Sequence, residues 1–250
     1  NFRNSNLSEL LSLLRKNKFN IKKKFYSKEK IKILFFKQDY GSIQNLNYQN
    51  LKKIDTLVHL ASQTGVIQSM KYPEKDAEEN IIKTIKLLQF LKNKGLKKVI
   101  FSSSMGVLGD NLLMPNTSKQ NPMNFYAASK ASVENYLNVY QKTFGIKTYI
   151  LRFSNIYGKY SKFKTSVITS FIKSILKKKK ININGTGNQY RDFLYAEDLA
   201  EVIDKLIFSK KFEDFNKFPI HVATGKSTSI NELIKILKTK FKLKFNVVRK

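Results

Sequence analysis

The amino-acid sequence predicts an α/β protein in which a parallel β-sheet carries helices on both faces and a smaller α/β part follows. Three observations predict it. Short apolar runs alternate with helix-length amphipathic stretches through residues 1–158, the rhythm that a parallel sheet with crossover helices requires. The runs end in small, polar or glycine residues, the composition expected where strands present their carboxyl ends to a ligand. After Gly158 the strands and helices shorten, with no internal repeat and no low-complexity linker, so residues 159–250 are expected to pack on the first part.

Leu7, Leu10, Leu11 and Leu14 recur at helical spacing, and a lysine-rich loop follows. Residues 31–36 and 56–60 are apolar and short, as buried strands are. Residues 76–94 place Ile81, Ile85, Leu88 and Leu91 on one helical face, and Gly95 supplies a left-handed stop. Residues 99–102 form the next strand, 122–144 a long helix ending near Gly145, and 148–153 a further strand. Beyond Gly158 the pattern predicts a helix over 165–176, strands near Ile181 and Phe193, a helix from Glu197, a strand near His221, a helix over 229–240 and a strand in 245–248. The segments to inspect for a ligand are therefore Gln38 and Asp39, residues 61–65, residues 102–106 and residues 154–158.

Composition narrows the function classes. The chain has 250 residues and 42% hydrophobic content, enough for a proper core. No apolar run approaches the roughly 20 residues that cross a bilayer, so a membrane partner is not expected. With no cysteine there is no disulfide framework, thiolate metal site or cysteine nucleophile, which fits a reducing cytoplasm. The net charge of +29 raises nucleic-acid binding as a rival. Only five of the 47 basic residues are arginine, however, and the lysines are spread along the chain among many Asn, Ile and Phe residues. Bases and phosphates are read mainly by arginine forks, so the lysines are assigned to solvated faces, where they attract an anionic substrate at long range. A non-catalytic basic nucleic-acid-binding module stays as the alternative of another class; a salt-dependent shift with DNA and no response to nucleotide sugars would support it.

The stretch NFYAASK (124–130) puts Tyr126 and Lys130 one helical turn apart on one face. Spacing alone does not single them out, because Tyr26/Lys30, Tyr48/Lys52 and Tyr160/Lys164 share it. Their neighbours do. HLASQTGV (59–66), FSSSMGVLG (101–109), YAASK (126–130), LRFSNIYG (151–158) and GTGNQYRDFLYAEDLA (185–200) occur in an order and spacing that resemble the extended short-chain dehydrogenase/reductase family. Within it the sequence is most similar to NAD-dependent nucleotide-sugar epimerases and dehydratases, UDP-sugar 4-epimerases above all.

The resemblance implies a Rossmann-like doubly wound sheet with a smaller C-terminal α/β substrate domain, NAD as cofactor, a UDP-linked sugar as substrate and a homodimer formed through the Tyr/Lys helix and the helix before it. By the same resemblance Tyr126 is the base that takes the C4 hydroxyl proton, Lys130 lowers its pKa and holds the nicotinamide ribose, and Ser104 hydrogen-bonds or shuttles at the same oxygen. Asp39 is implied at the adenine, Leu60, Ala61 and Ser62 along the cofactor's phosphates and ribose, and Asn80 and Ser102 beside the cofactor. Asn155 and Arg191 are implied at the sugar-nucleotide diphosphate, where a planar guanidinium suits phosphate oxygens.

Two departures qualify the match. No GxxGxxG loop occurs: only Gly106 and Gly109 have the first spacing. That loop normally cradles a pyrophosphate on backbone N–H groups. The chain thus reads as lacking the family's first strand, glycine loop and second strand, and as stopping short of its usual C-terminus. As given it is expected to bind NAD weakly and to be inactive by itself. Second, Ser104 is followed by Met105 and Gly106, where dehydratases and decarboxylases carry an acid. Epimerisation is therefore favoured over dehydration or reduction, the alternatives within the family. Leu108, where tyrosine is common, and Lys83, where glycine is common, read as tolerated changes.

Overall fold

A computed structural model describes residues 20–22, 25–28, 31–34, 39–45, 54–110, 119–161, 164–208, 210–241 and 245–249. The expected helix around Leu7 to Leu14 lies outside the described residues. In chain order the first elements are β1 (Asn20–Lys22), β2 (Phe25–Lys28), β3 (Ile31–Leu34), β4 (Thr56–His59), α1 (Val66–Lys71) and α2 (Pro73–Ala77). A single wide turn, Glu78–Ile82, joins α2 to α3 (Lys83–Lys92); β5 (Lys98–Ser104), α4 (Phe125–Phe144), β6 (Lys147–Phe153) and β7 (Asn155–Tyr157) follow. The remainder comprises α5 (Val167–Leu176), β8 (Ile181–Ile183), β9 (Tyr190–Tyr195), α6 (Ala196–Phe208), β10 (Ile220–Val222), β11 (Ser227–Ser229), α7 (Ile230–Phe241) and β12 (Val247–Arg249).

The central sheet has the order β10-β6-β5-β4, and every neighbouring pair is parallel. Side chains alternate across it as the period of two demands. Val99, Phe101 and Ile150 face one way and pack with Leu87, Leu88 and Leu91 of α3 and Val133 and Leu137 of α4. Ile100, Tyr149 and Leu151 face the other way and pack with Leu199, Ile203 and Leu206 of α6. A sheet covered on both faces is the predicted arrangement. Its last strand, β10, and the helix over its second face both come from beyond residue 158.

A separate core joins α5 and α7 over β8, through Phe171, Ile175, Ile181, Leu233 and Leu237. Around it, β9 pairs parallel with β7 and antiparallel with β11, while β12 pairs parallel with β8.

Residues 31–34 correct the sequence reading. They form a strand as expected, but it belongs to an antiparallel sheet β1-β2-β3 and not to the parallel one. An apolar run says that a strand forms; it does not name the partner.

Helix α4 begins where local chemistry sets it. Asn124 caps it, with Oδ1 accepting from the Ala127 N–H at 2.9 Å. Gly145, at φ 66°, closes it, its N–H donating to the Gln141 carbonyl at 3.0 Å. The helix therefore starts at Phe125 and not at residue 122.

Candidate active site

Ser104 ends β5, and its hydroxyl accepts from the Gly106 N–H at 3.1 Å, capping the short turn that follows. Tyr126 lies in the first turn of α4, its own N–H donating to Ser69 Oγ at 3.1 Å. Lys130, one turn later, is buried against the sheet; its ammonium donates to the Ser102 carbonyl at 2.7 Å and stands 4.7 Å from the centre of the Phe101 ring. Ser104 lies near enough to Tyr126 to pull its phenol's pKa down, and Lys130 Nζ is 6.0 Å from the Tyr126 ring centre. Three side chains from two separate parts of the chain, the end of β5 and the start of α4, thus come together at the carboxyl end of β5.

Beneath them is a buried ion pair. Arg152 of β6 forks onto Glu134 of α4, Nε to Oε1 at 3.0 Å and Nη2 to Oε2 at 2.7 Å. Ser103 also donates to Glu134 Oε1, and Gln120 Nε2 donates to Oε2 at 2.9 Å. Strand alternation turns Ser103 and Arg152 toward α4, and two more helical turns along from Tyr126 bring Glu134 onto the same stripe. Nothing in the motif reading singled out this pair.

The loop after β4 is shaped by Asn80 in the wide turn between α2 and α3. Asn80 Oδ1 accepts from the Gln63 N–H at 2.8 Å and from Ser62 Oγ at 3.1 Å. Its Nδ2 donates to the Gln63 carbonyl at 3.1 Å, to Ser129 Oγ at 3.0 Å and to Asp76 Oδ1 at 3.3 Å. Asn80 is sealed from solvent, and its bonds fix the backbone of residues 62 and 63. A helix interrupted by one wide turn commonly marks a functional position. Leu60 is exposed and Ala61 half-buried on that loop, while Ser102 is buried with its hydroxyl donating to the His59 carbonyl at 3.1 Å.

A cleft of about 340 Å³ opens between β7, β8, β9 and the start of α5, lined by Asn155, Thr165, Asn182, Gln189 and Arg191 among others. Pairing in register with β9 brings Asn155 opposite Phe193, close to Arg191. Asn155 Nδ2 donates to the Asp192 carbonyl at 3.1 Å and Arg191 Nη1 to the Tyr190 carbonyl at 2.7 Å. Both side chains are exposed, and the guanidinium keeps further donors for a ligand. Asn155 of the cleft follows by two residues Phe153, the register partner of Ser104. Asp192 ties this segment to Thr224: Oδ1 accepts from Ser154 Oγ at 3.0 Å and from the Thr224 N–H at 3.1 Å, Oδ2 from Thr224 Oγ1 at 2.8 Å. Burial pushes this carboxyl up, but those hydrogen bonds outweigh it and hold it below the usual carboxylate range.

A model of the NAD dependent epimerase/dehydratase family matches residues 15–216. The chain belongs to that family. A putative UDP-glucose 4-epimerase of Methanocaldococcus jannaschii is 36% identical over 194 residues, covering 76% of this chain and 62% of that protein. A dTDP-D-glucose 4,6-dehydratase of Dictyostelium discoideum is 36% identical over 169 residues, 62% of this chain and 39% of its own length. Among solved structures, the UDP-N-acetylglucosamine 4-epimerase from Methanobrevibacter ruminantium M1 in complex with UDP-N-acetylmuramic acid superimposes with TM-score 0.76 and 31% identity, covering 86% of this chain and 69% of that one. The chain therefore spans less than two thirds of either curated relative.

Burial dominates the ionisation of Tyr126 and Lys130. It pushes the phenol up to about 12; Ser104 pulls it down and the Asp76 carboxylate pushes it further up. Lys130 is itself driven down to about 7, by burial first and by Lys164 as well, against the pull of Asp76 and Glu134. One expectation drawn from this epimerase/dehydratase family needs correction: Lys83 is no neutral replacement for glycine. Its ammonium bridges Asp39 Oδ2 and Glu79 Oε1, each at 2.9 Å. Asp39 Oδ1 accepts from the Gly41 N–H at 2.8 Å, so both oxygens of the residue implied at the adenine already have partners within the chain. No group of three His, Cys, Asp or Glu among the described residues is placed to hold a metal ion, and none of their helices is long and apolar enough to cross a membrane.

Proposed function

We propose that this chain carries the catalytic site of an NAD-dependent nucleotide-sugar 4-epimerase acting on a UDP-hexose or UDP-hexuronate. The observation that carries the reading is the meeting of Ser104, Tyr126 and Lys130 at one strand end beside a cleft that holds Asn155 and Arg191. The small-residue loop after β4 and the buried Lys130 suit the nicotinamide half of the cofactor. NAD held there would supply reversible hydride acceptance at sugar C4, and its positive ring charge would favour the Tyr126 phenolate.

The chain's own residues handle protons and position. Tyr126 takes the proton of the C4 hydroxyl as the C4–H bond breaks, and gives it back when the 4-keto sugar is reduced. Ser104 donates to the same oxygen and steadies the phenolate. Lys130 holds the ribose and the Ser102 end of β5. Arg191 and Asn155 grip the diphosphate, so the keto sugar can turn over without leaving. The absence of a carboxylate at Met105 and Gly106, next to Ser104, favours epimerisation over the dehydratase and reductase readings. Pairing of two chains is proposed through α3 and α4, where Tyr136 and Val139 stand exposed.

The test is to incubate the chain with NAD and UDP-glucose, UDP-N-acetylglucosamine or UDP-glucuronate and to follow C4 inversion by NMR. Because the sequence contains no glycine loop, the assay is run in parallel with a relative's glycine-loop segment fused ahead of Asn1. Tyr126→Phe is expected to lose roughly 10²–10⁴-fold in turnover while UDP binding persists. Equal turnover by Tyr126→Phe overturns the mechanism, and water loss or net NADH release in place of inversion selects the rival reactions.

A further inference from the structure

Two carboxylates among the described residues are buried in the same interior as Lys130, Glu134 from its own helix and Asp76 from α2, and both favour its charged form. Glu134 is fully occupied, since Arg152, Ser103 and Gln120 take both its oxygens. Asp76 is not. It is 1% exposed; Oδ1 accepts from Gln63 Nε2 at 2.8 Å and from Asn80 Nδ2 at 3.3 Å, while Oδ2 is sealed with no hydrogen-bond partner among the described residues. An asparagine could accept both bonds through one carbonyl oxygen, so hydrogen bonding does not explain why a charge is placed here. A buried carboxylate is costly unless a cation answers it.

Among the described residues the buried cations are Arg152 and Lys130, and only Arg152 has an ion pair. The Lys130 ammonium is buried, and its hydrogen bond goes to a neutral carbonyl, Ser102 O. Counting charges in this interior pairs Arg152 with Glu134 and leaves Lys130 with Asp76. The link is also mechanical. From Asp76 the hydrogen bonds run through Asn80 to Ser129 Oγ, which donates to the Tyr126 carbonyl at 2.9 Å.

We propose that Asp76 is a positioning residue of the catalytic site, supplying the counter-charge that keeps Lys130 protonated and anchoring, through Asn80 and Ser129, the first turn of α4 beneath Tyr126. This rests on the assignment of Tyr126 and Lys130 above. The groups facing Lys130 are Asp76 from α2, Tyr126 and Glu134 from α4, His59 from β4, Lys164 ahead of α5 and the Ser102 carbonyl from β5; those facing Asp76 are Gln63, Asn80, Tyr126 and Lys130. The sign is direct. A carboxylate favours the charged ammonium, so removing it lowers the lysine's midpoint from about 7 and leaves Lys130 neutral at neutral pH.

The experiment titrates Lys130 in the intact chain by NMR of isotope-labelled lysine, with the resonance assigned by its loss in Lys130→Met. It needs neither cofactor nor turnover, so it stands or falls separately from the epimerase reading. Asp76→Asn is expected to lower the midpoint by about one unit. Gln63→Met, which removes a hydrogen bond of the network but keeps the charge, is expected to leave it in place. An unchanged midpoint in Asp76→Asn, or an equal fall in Gln63→Met, overturns the proposal. Should Asp76→Asn fail to fold, the wild-type chain decides. The Asp76 carboxyl carbon must show an inflection at the Lys130 midpoint, as coupled groups do, and a flat trace there overturns it equally.

Discussion

Glu134→Gln removes one charge and almost no volume from the joint between α4 and the central sheet. The Arg152 and Glu134 side chains are 3% and 1% exposed, and the fork between them is made at 3.0 and 2.7 Å. Water therefore cannot take over for the lost carboxylate. Arg152 Nη1 already lacks a hydrogen-bond partner among the described residues, so the guanidinium has no second acceptor to turn to. Breaking a buried pair from one side costs about 3–5 kcal/mol. Against a total stability of roughly 5–15 kcal/mol, that is a large share, and the melting temperature should fall by about 10 °C. Urea titration followed by far-UV circular dichroism gives the free energy directly. Adding Arg152→Met to the variant removes the stranded charge, so the double variant should be more stable than Glu134→Gln alone. A single-variant loss below about 1 kcal/mol, or a double variant weaker than the single one, would refute the view that this pair seats the catalytic helix.

Further outcomes follow from other buried groups. His59, whose Nε2 lies 2.9 Å from Thr84 Oγ1, is driven down to about 3, by burial first and then by Lys130. The unfolded chain binds this proton from about pH 6.5 downward and the folded chain does not, so stability is full above 6.5 and falls as the pH drops. Between pH 6.5 and 5 the contribution lost is about 2 kcal/mol, and a His59→Gln variant should show a correspondingly flatter acid limb in urea titrations. Gly187 sits at φ 82°, where an added Cβ would come within 2.5 Å of Asn231 Oδ1, whereas Gly185, at φ 75°, has open space around it. Gly187→Ala should therefore cost about 1–3 kcal/mol and Gly185→Ala only the backbone strain, about 1 kcal/mol; equal losses for the two would show that Asn231 simply moves aside.

How much was legible beforehand depended on how local the cause was. The alternation of strands and helices, the stop at Gly95, the close of α4 at Gly145 and the face shared by Tyr126 and Lys130 all follow from spacing within one or two turns. The five motifs carried the family, because their order along the chain is itself a sequence property. The strand over Asn155–Tyr157 was read as a loop; three residues carry too little periodicity, and its pairing with β9 comes from residues about 35 positions on.

Asp76, Glu134 and Arg152 gave no motif signal, since a charged residue in a helix or strand pattern ordinarily faces water. Only the packing of α2, α4 and β6 buries them together. Lys83 looked like an indifferent substitution until Asp39, far away along the chain, was seen to meet it. The phenol is a further case: its burial, which residue spacing does not show, pushes Tyr126 up.

By itself the sequence determined most of the segments that form strands and helices and which family motifs they carry, because these depend on neighbours along the chain. The tertiary structure alone decided which strands pair, which charges are sealed from water and which of them face each other. Those are set by desolvation and by encounters between distant segments, neither of which can be read from residue spacing.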